Sequence, residues 1–330
     1  MTDTKVDLFL DQLVNAPLKD DRALMEFPFF SLQKRPRTQP FIYDDGAVKI
    51  EITPGAKGIA TIWDKDILIY LASLLNERIE QGKPVEHTIR FPAYDFLKAT
   101  GRGTGKRAYE LLLDALYRLR STNIVTTIEA GGQVDRRGFG WIETWRVVEK
   151  TDGRGRKVMA AVEVTLNDWM FRSIVKDRNV LTINREYFTL TKGLERRLYE
   201  LARKHVGHQP DWLISMARLA QKCGTADTLR KFKLRLNQII EAESLPDYHL
   251  ELIRDPASAE MQELAREGYK RHGGSERILV RFFPKNGHAG AADTPAQAIR
   301  GDGRPIGYPP RGKRSKTQNN KTQDNKTQKG

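Results

Sequence analysis

The chain has 330 residues, 39% apolar and 30% charged, which allows sizeable hydrophobic cores and, at roughly 150 residues per domain, two domains. Lys and Arg number 56 against 42 Asp and Glu, and the resulting charge of +14 favours a polyanionic partner without naming an activity. The single cysteine, Cys223, excludes an internal disulfide framework and a Cys-based structural zinc site, and fits a reducing cytoplasm.

No apolar run reaches the ~18 residues of a membrane span, and the opening residues mix charge with Val6, Leu8, Phe9 and Leu10, unlike a signal peptide. A soluble cytoplasmic protein with no membrane partner is expected. From Pro284 to Gly330, ten Lys or Arg against three Asp carry +7, and Lys-Thr-Gln recurs at Lys316, Lys321 and Lys326. This composition predicts a flexible basic tail.

In chain order, Asp64 to Gln81 places Ile67, Leu68, Leu71, Leu74 and Leu75 at helical spacing and stops at Gly82-Lys83-Pro84. A shorter helix is predicted over Pro92 to Ala99. Gly101-Arg102-Gly103 breaks it, and Thr104 is placed to cap a third helix reaching Leu119. Strands are expected over Asn123 to Glu129, Gly140 to Val148 and Val158 to Leu166, joined by tips at Gly131 to Gly138 and Glu149 to Lys157. A linking helix near Leu166 to Val175 leads to Val180-Leu181-Thr182-Ile183.

The order then repeats. Helices are predicted over Thr191 to Lys204, Asp211 to Lys222 and, after Gly224, Ala226 to Glu243; strands Tyr248 to Ile253 and Arg277 to Phe283 follow, with a helical option at Ala259 to Arg266 between them. Three helices followed by a hairpin, twice, is the order of tandem winged-helix domains in an α+β chain. The expected divisions are an arm at 1–23, a first winged helix at 24–165, a linking helix at 166–179, a second winged helix at 180–283 and the tail at 284–330.

The two third helices carry the closest match. Ala108, Leu111, Ala115 and Leu119 recur 121 positions later as Leu229, Phe232, Leu236 and Ile240, giving each helix one stripe to bury. Lys98 to Arg120 holds six basic and two acidic residues, and Ser215 to Ile240 six basic and one acidic. A short helix, a sharp turn and an amphipathic helix set the last helix's outer face toward a DNA major groove. The candidate DNA contacts are therefore Lys106, Arg107 and Arg120 in the first helix and Arg230, Lys231 and Arg235 in the second. Asn237 and Gln238 are candidates for adenine edges. Arg136 and Arg137, with Arg154, Arg156 and Lys157, lie at hairpin tips that can track phosphate. Lys34-Arg35-Pro36-Arg37 reads either as a minor-groove arm or as a charged surface loop.

Three segments carry a family likeness: Gly58-Ile59-Ala60-Thr61-Ile62-Trp63-Asp64-Lys65-Asp66-Ile67-Leu68-Ile69-Tyr70, Thr100-Gly101-Arg102-Gly103-Thr104-Gly105-Lys106-Arg107-Ala108-Tyr109, and Leu194-Glu195-Arg196-Arg197-Leu198-Tyr199-Glu200-Leu201-Ala202-Arg203-Lys204. With them the chain resembles plasmid replication initiators of the replication initiator protein A group, over most of residues 24–283. The resemblance implies binding to repeated origin sites (iterons) in double-stranded plasmid DNA, opening of an AT-rich element, and recruitment of the host replicative helicase and initiator. It also implies repression of the protein's own gene, copy control, and a homodimer formed through the first winged helix. Lys106, Arg107 and Arg120 make that first domain suited to DNA as well. A winged-helix repressor of its own operon is the alternative.

Enzyme chemistry is not expected. Gly101 to Lys106 is one residue short of a phosphate-binding loop, and Arg107 replaces its magnesium-binding hydroxyl. His205-Val206-Gly207-His208 lacks the spacing of a nickase metal site and reads as surface or capping histidines; no cofactor or metal is expected. Cys223 reads as a small buried apolar side chain, and most tryptophans as core. Lys5-Val6-Asp7-Leu8-Phe9 resembles the Gln-Leu-Asp-Leu-Phe peptides of sliding-clamp partners. Asp7, Leu8 and Phe9 supply the match, against the alternative of an amphipathic segment packing on the first domain or a dimer partner.

Overall fold

The computed structural model describes residues 17–46, 48–130, 133–151, 155, 157–254 and 278–285. The chain opens with strand β1 (Leu18–Asp21) and the short helix α1 (Arg22–Glu26), followed by β2 (Phe41–Asp44) and β3 (Val48–Thr53). Helix α2 (Lys65–Glu80) leads to β4 (Thr88–Pro92), α3 (Ala93–Ala99) and α4 (Lys106–Ser121). Four strands come next: β5 (Asn123–Ala130), β6 (Gln133–Phe139), β7 (Ile142–Thr151) and β8 (Lys157–Leu166). Helix α5 (Asp168–Val175), β9 (Val180–Ile183) and a 3-10 turn (Arg185–Thr189) connect to the second half. That half runs α6 (Gly193–Val206), β10 (Trp212–Ser215), α7 (Met216–Cys223), α8 (Leu229–Glu241), β11 (Tyr248–Arg254) and β12 (Ile278–Pro284).

The two halves share one winged-helix topology. In each, the strand after the first helix pairs antiparallel with the last strand of the hairpin, giving the sheet orders β4-β8-β7 and β10-β12-β11. Two departures from the sequence reading concern strands. The segment expected as a helix from Asp211 begins with β10, and α7 starts only at Met216, where Ser215 accepts a hydrogen bond from the Arg218 amide. The expected tip at Gly131 to Gly138 is largely strand β6, which with β5 is inserted between α4 and β7 and completes a separate sheet, β2-β3-β5-β6, with the two strands that precede α2.

One continuous apolar core serves both halves. Helix α2 is buried all round from Lys65 to Asn76, because β1, α5 and the α6 half cover faces that a surface helix leaves to water. Trp141 is fully buried, stacked on Phe30 with ring centroids 4.8 Å apart and edge-on to Phe29 at 5.2 Å. Strand β1, inside the expected arm, pairs along its length with β9, from Leu18↔Ile183 to Asp21↔Val180. Residues 255–277, including the helical option at Ala259 to Arg266, lie outside the described residues, as do residues 1–16 and 286–330. Among the described residues no helix is long and apolar enough to cross a membrane.

Candidate nucleic-acid interface

Helix α8 is set by its turn. Gly224 caps α7 in the left-handed region (φ 65°), and a Cβ there would stand 2.6 Å from Pro28, so both backbone and space call for glycine. Thr228 then caps α8, accepting from the Lys231 amide. The helix buries Phe232, Leu236 and Ile239 and leaves Arg230, Lys231, Lys233, Leu234, Arg235 and Gln238 exposed, with Asn237 half-buried. Arg235 pairs with Asp227 at 2.9 Å. Among the described residues no acidic side chain pairs with Arg230, Lys231 or Lys233. Lys233 escaped the sequence reading, although the alternation of charge along 230–235 marks it.

Helix α4 is built on the same plan with a different outer face. Its cap is Gly105, which has no side chain to offer, so Thr104 does not cap it. It buries Leu112, Ala115, Leu116 and Leu119, whereas Leu111, expected inside, is 42% exposed; in α8, Leu229, also expected inside, is 46% exposed. The buried sets Leu112, Leu116, Leu119 and Phe232, Leu236, Ile239 match at an offset of 120 residues, one less than the apolar pattern suggested. On the exposed side Glu110 draws both N-terminal cations, Arg107 at 3.2 Å and Lys106 at 4.0 Å, and Asp114 pairs with Lys57. Arg120 is exposed near the helix end. The exposed face of α4 thus carries carboxylates where that of α8 carries cations that no acidic side chain pairs among the described residues.

Arg118 of α4 belongs to the scaffold. Its guanidinium donates twice to Asp64, at 2.7 Å each. Burial would lower its pKa, but the Asp64 carboxylate more than compensates and raises it.

The remaining candidates are dispersed. Arg136 and Arg137 are both exposed on β6 and, as strand neighbours, leave opposite faces of the sheet. Arg136 borders a surface groove with Asp44, Lys49 and Glu51. Arg154 and Arg156 lie outside the described residues, as does the side chain of Lys157 at the start of β8; Asp7, Leu8 and Phe9 lie outside them too. Lys34 to Arg37 is no free arm: the Arg37 carbonyl accepts from the Ile59 amide at 2.8 Å, and Gly58 lies so close that a Cβ would stand 2.7 Å from Pro36. Lys34 and Arg37 instead line a groove of about 550 Å³ shared with Trp63, Lys192, Arg235 and Gln238.

His205 is not a surface or capping residue. Its ring stacks on Trp212 at 4.3 Å and its Nε2 lies 3.0 Å from Glu26, which also meets Lys204 at 2.8 Å and Lys222. Burial of Glu26 would raise its pKa, yet the His205 hydrogen bond and the Lys204 charge hold it well below the usual carboxylate range. Cys223 is fully buried, and burial pushes its thiol up to about 12. Among the described residues no cluster of three His, Cys, Asp or Glu side chains could hold a metal ion.

The charged residues of the first and third family-like segments form a buried ion network between the halves. Lys65 donates to Asp20 at 2.6 Å and meets Glu200 at 2.8 Å; Asp66 receives Arg196 at 2.6 Å and Arg102 at 2.9 Å. Arg197 donates to the carbonyls of Met25, Glu26 and Lys222 and pairs with Glu200 at 3.2 Å. Tyr187 adds a hydrogen bond to Glu200 at 2.7 Å.

Comparison with known proteins places this architecture. The sequence profile of Replication initiator protein A matches residues 19–250. A protein of Wigglesworthia glossinidia brevipalpis whose name assigns it to replication is 36% identical over 250 residues, covering 75% of this chain and 86% of that one. Crystal structures of domains 2 and 3 of RctB share the fold at 14% identity. One superposes with a TM-score of 0.56 over 80% of this chain and 98% of its own, the other with 0.51 over 78% and 95%. The chain belongs to the replication initiator protein A family.

Proposed function

We propose that this initiator acts without enzymatic chemistry, by binding iterons in a plasmid origin, and that α8 supplies the main reading surface. The observation that carries this reading is the pairing of one buried stripe, Phe232, Leu236 and Ile239, with the outward cations Arg230, Lys231 and Lys233, which no carboxylate among the described residues neutralises. Cations left unpaired on a rigid helix are available to phosphates, and the arginine fork can also reach guanine edges. In this reading Lys106, Arg107 and Arg120 of α4 contact the DNA backbone at the ends of their helix. Exchange of the Arg107–Glu110 pair for a phosphate contact is the cost of that engagement. Once bound, the protein promotes opening of a neighbouring AT-rich element and recruits the host helicase and initiator.

The test is replication in trans. A plasmid carrying the DNA that flanks the gene, but no initiator, should replicate when this chain is supplied, and nuclease footprints should fall on tandem direct repeats within that DNA. Repression of the gene without any replication would instead assign the protein to operon control.

A further inference from the structure

The exposed face of α8 has an apolar centre. Leu234 is 60% exposed, the most exposed large hydrophobic side chain among the described residues. At about 100° per residue it points almost diametrically away from Phe232, Leu236 and Ile239, along the side of α8 furthest from the core, which it shares with the exposed Glu241 two turns later. Arg230 and Lys231 lie one turn before it on the same face, and Gln238 one turn after. At the matching position of α4, 120 residues earlier, stands Asp114, held by Lys57. A leucine at this position is therefore a feature of α8, where α4 has a paired carboxylate.

A face that touched only phosphate oxygens would gain nothing from a leucine there. A helix lying in the major groove meets one apolar feature on the base edges, the C5-methyl group of thymine. The short leucine side chain reaches it only if the helix lies deep, and the longer Arg230, Lys231 and Gln238 can then extend to either side.

We infer that Leu234 is a specificity-determining residue that recognises the methyl group of a thymine in the binding site, an inference that rests on α8 being the reading helix. Wild-type protein and Leu234→Ala are titrated at fixed salt against duplexes of the origin repeat in which each thymine in turn is replaced by deoxyuridine, which lacks only that methyl group. The expected result is one or two positions where uracil weakens wild-type binding about fourfold, the worth of one buried methyl group. Leu234→Ala binds the thymine duplex correspondingly less tightly and does not distinguish the two bases there, while Leu234→Met keeps the preference. Wild-type binding that no uracil substitution weakens overturns this inference and leaves the initiator reading intact, as does a uracil effect that persists in Leu234→Ala. Failure of the wild type to bind any repeat overturns both.

Discussion

Lys65 of α2 and Glu200 of α6 meet at 2.8 Å with neither side chain reaching solvent, so the first helices of the two winged-helix halves are joined by charge as well as by apolar contact. Asp20 adds a second carboxylate to Lys65 and Arg197 a second cation to Glu200. Such a network offsets its desolvation only while every member is satisfied, which fixes how the two halves meet more than it adds stability. Lys65→Met removes the shared cation and leaves two carboxylates in the core. A loss of about 3 to 5 kcal/mol is expected in urea unfolding; a loss under about 1 kcal/mol would show that the network contributes little to cohesion.

The same cluster sets a pH dependence. Burial raises the Asp20 carboxyl to about 7 from an ordinary 3.8, against the pull of Lys65. The folded chain therefore holds this proton more tightly than the unfolded chain. The stabilisation is complete below the ordinary value and is lost as pH rises toward about 7. Asp20→Asn removes this dependence while keeping an acceptor for Lys65. Its stability relative to wild type should climb between about pH 5 and pH 7.5, measured as urea midpoints across that range; parallel curves would contradict the assignment.

A close approach between segments far apart in sequence gives a third expectation. A Cβ on Gly193, at the start of α6, would stand 2.1 Å from the carbonyl oxygen of Leu32, a backbone atom that cannot yield alone. Gly193→Ala should cost about 1 to 3 kcal/mol by forcing α6 away from the first half. Gly103→Ala, where the added carbon meets nothing within 4 Å, should change stability by less than about 0.5 kcal/mol. Equal effects of the two substitutions in thermal or urea unfolding would remove the packing argument.

Elements with a single apolar stripe were legible in the sequence, and α4 and α8 show where that legibility ends. Leu111 and Leu229 fit the helical spacing as well as the buried residues do, so periodicity placed the repeat one residue out of register. Strand β10 was hidden because Leu213, Met216 and Leu219 continue the spacing of α7 backward through it. Strand β6 has two exposed arginines and few β-branched residues, as suits the edge of a sheet, and so read as a loop. The junction was the least visible: Asp64, Lys65, Asp66, Arg196 and Arg197 are charged, and only three-dimensional pairing shows that they are buried. The cationic face of α8 was readable from charge and stripe together, but the acidic centre of α4 emerged only once Glu110 and Asp114 were placed on its exposed side.

The contrast between the two arginine-rich helices gives the last prediction. Lys231 and Lys233 are exposed on α8 beyond a stripe they do not support, so replacing both with alanine should leave the unfolding midpoint nearly unchanged while weakening binding to origin DNA. If each neutralises one phosphate, the slope of log affinity against log salt should fall by about 2 in magnitude. Arg118→Ala is the control from α4: it strands the buried Asp64 carboxylate, so stability should drop while the salt slope of the folded fraction stays as in wild type. Phe232→Ala separates scaffold from contact within α8 itself, with an expected loss of about 3 to 5 kcal/mol from the emptied core site. Titrations at four salt concentrations, alongside urea unfolding of each variant, decide the matter. An unchanged slope in the double lysine variant would move the DNA contact off the face of α8.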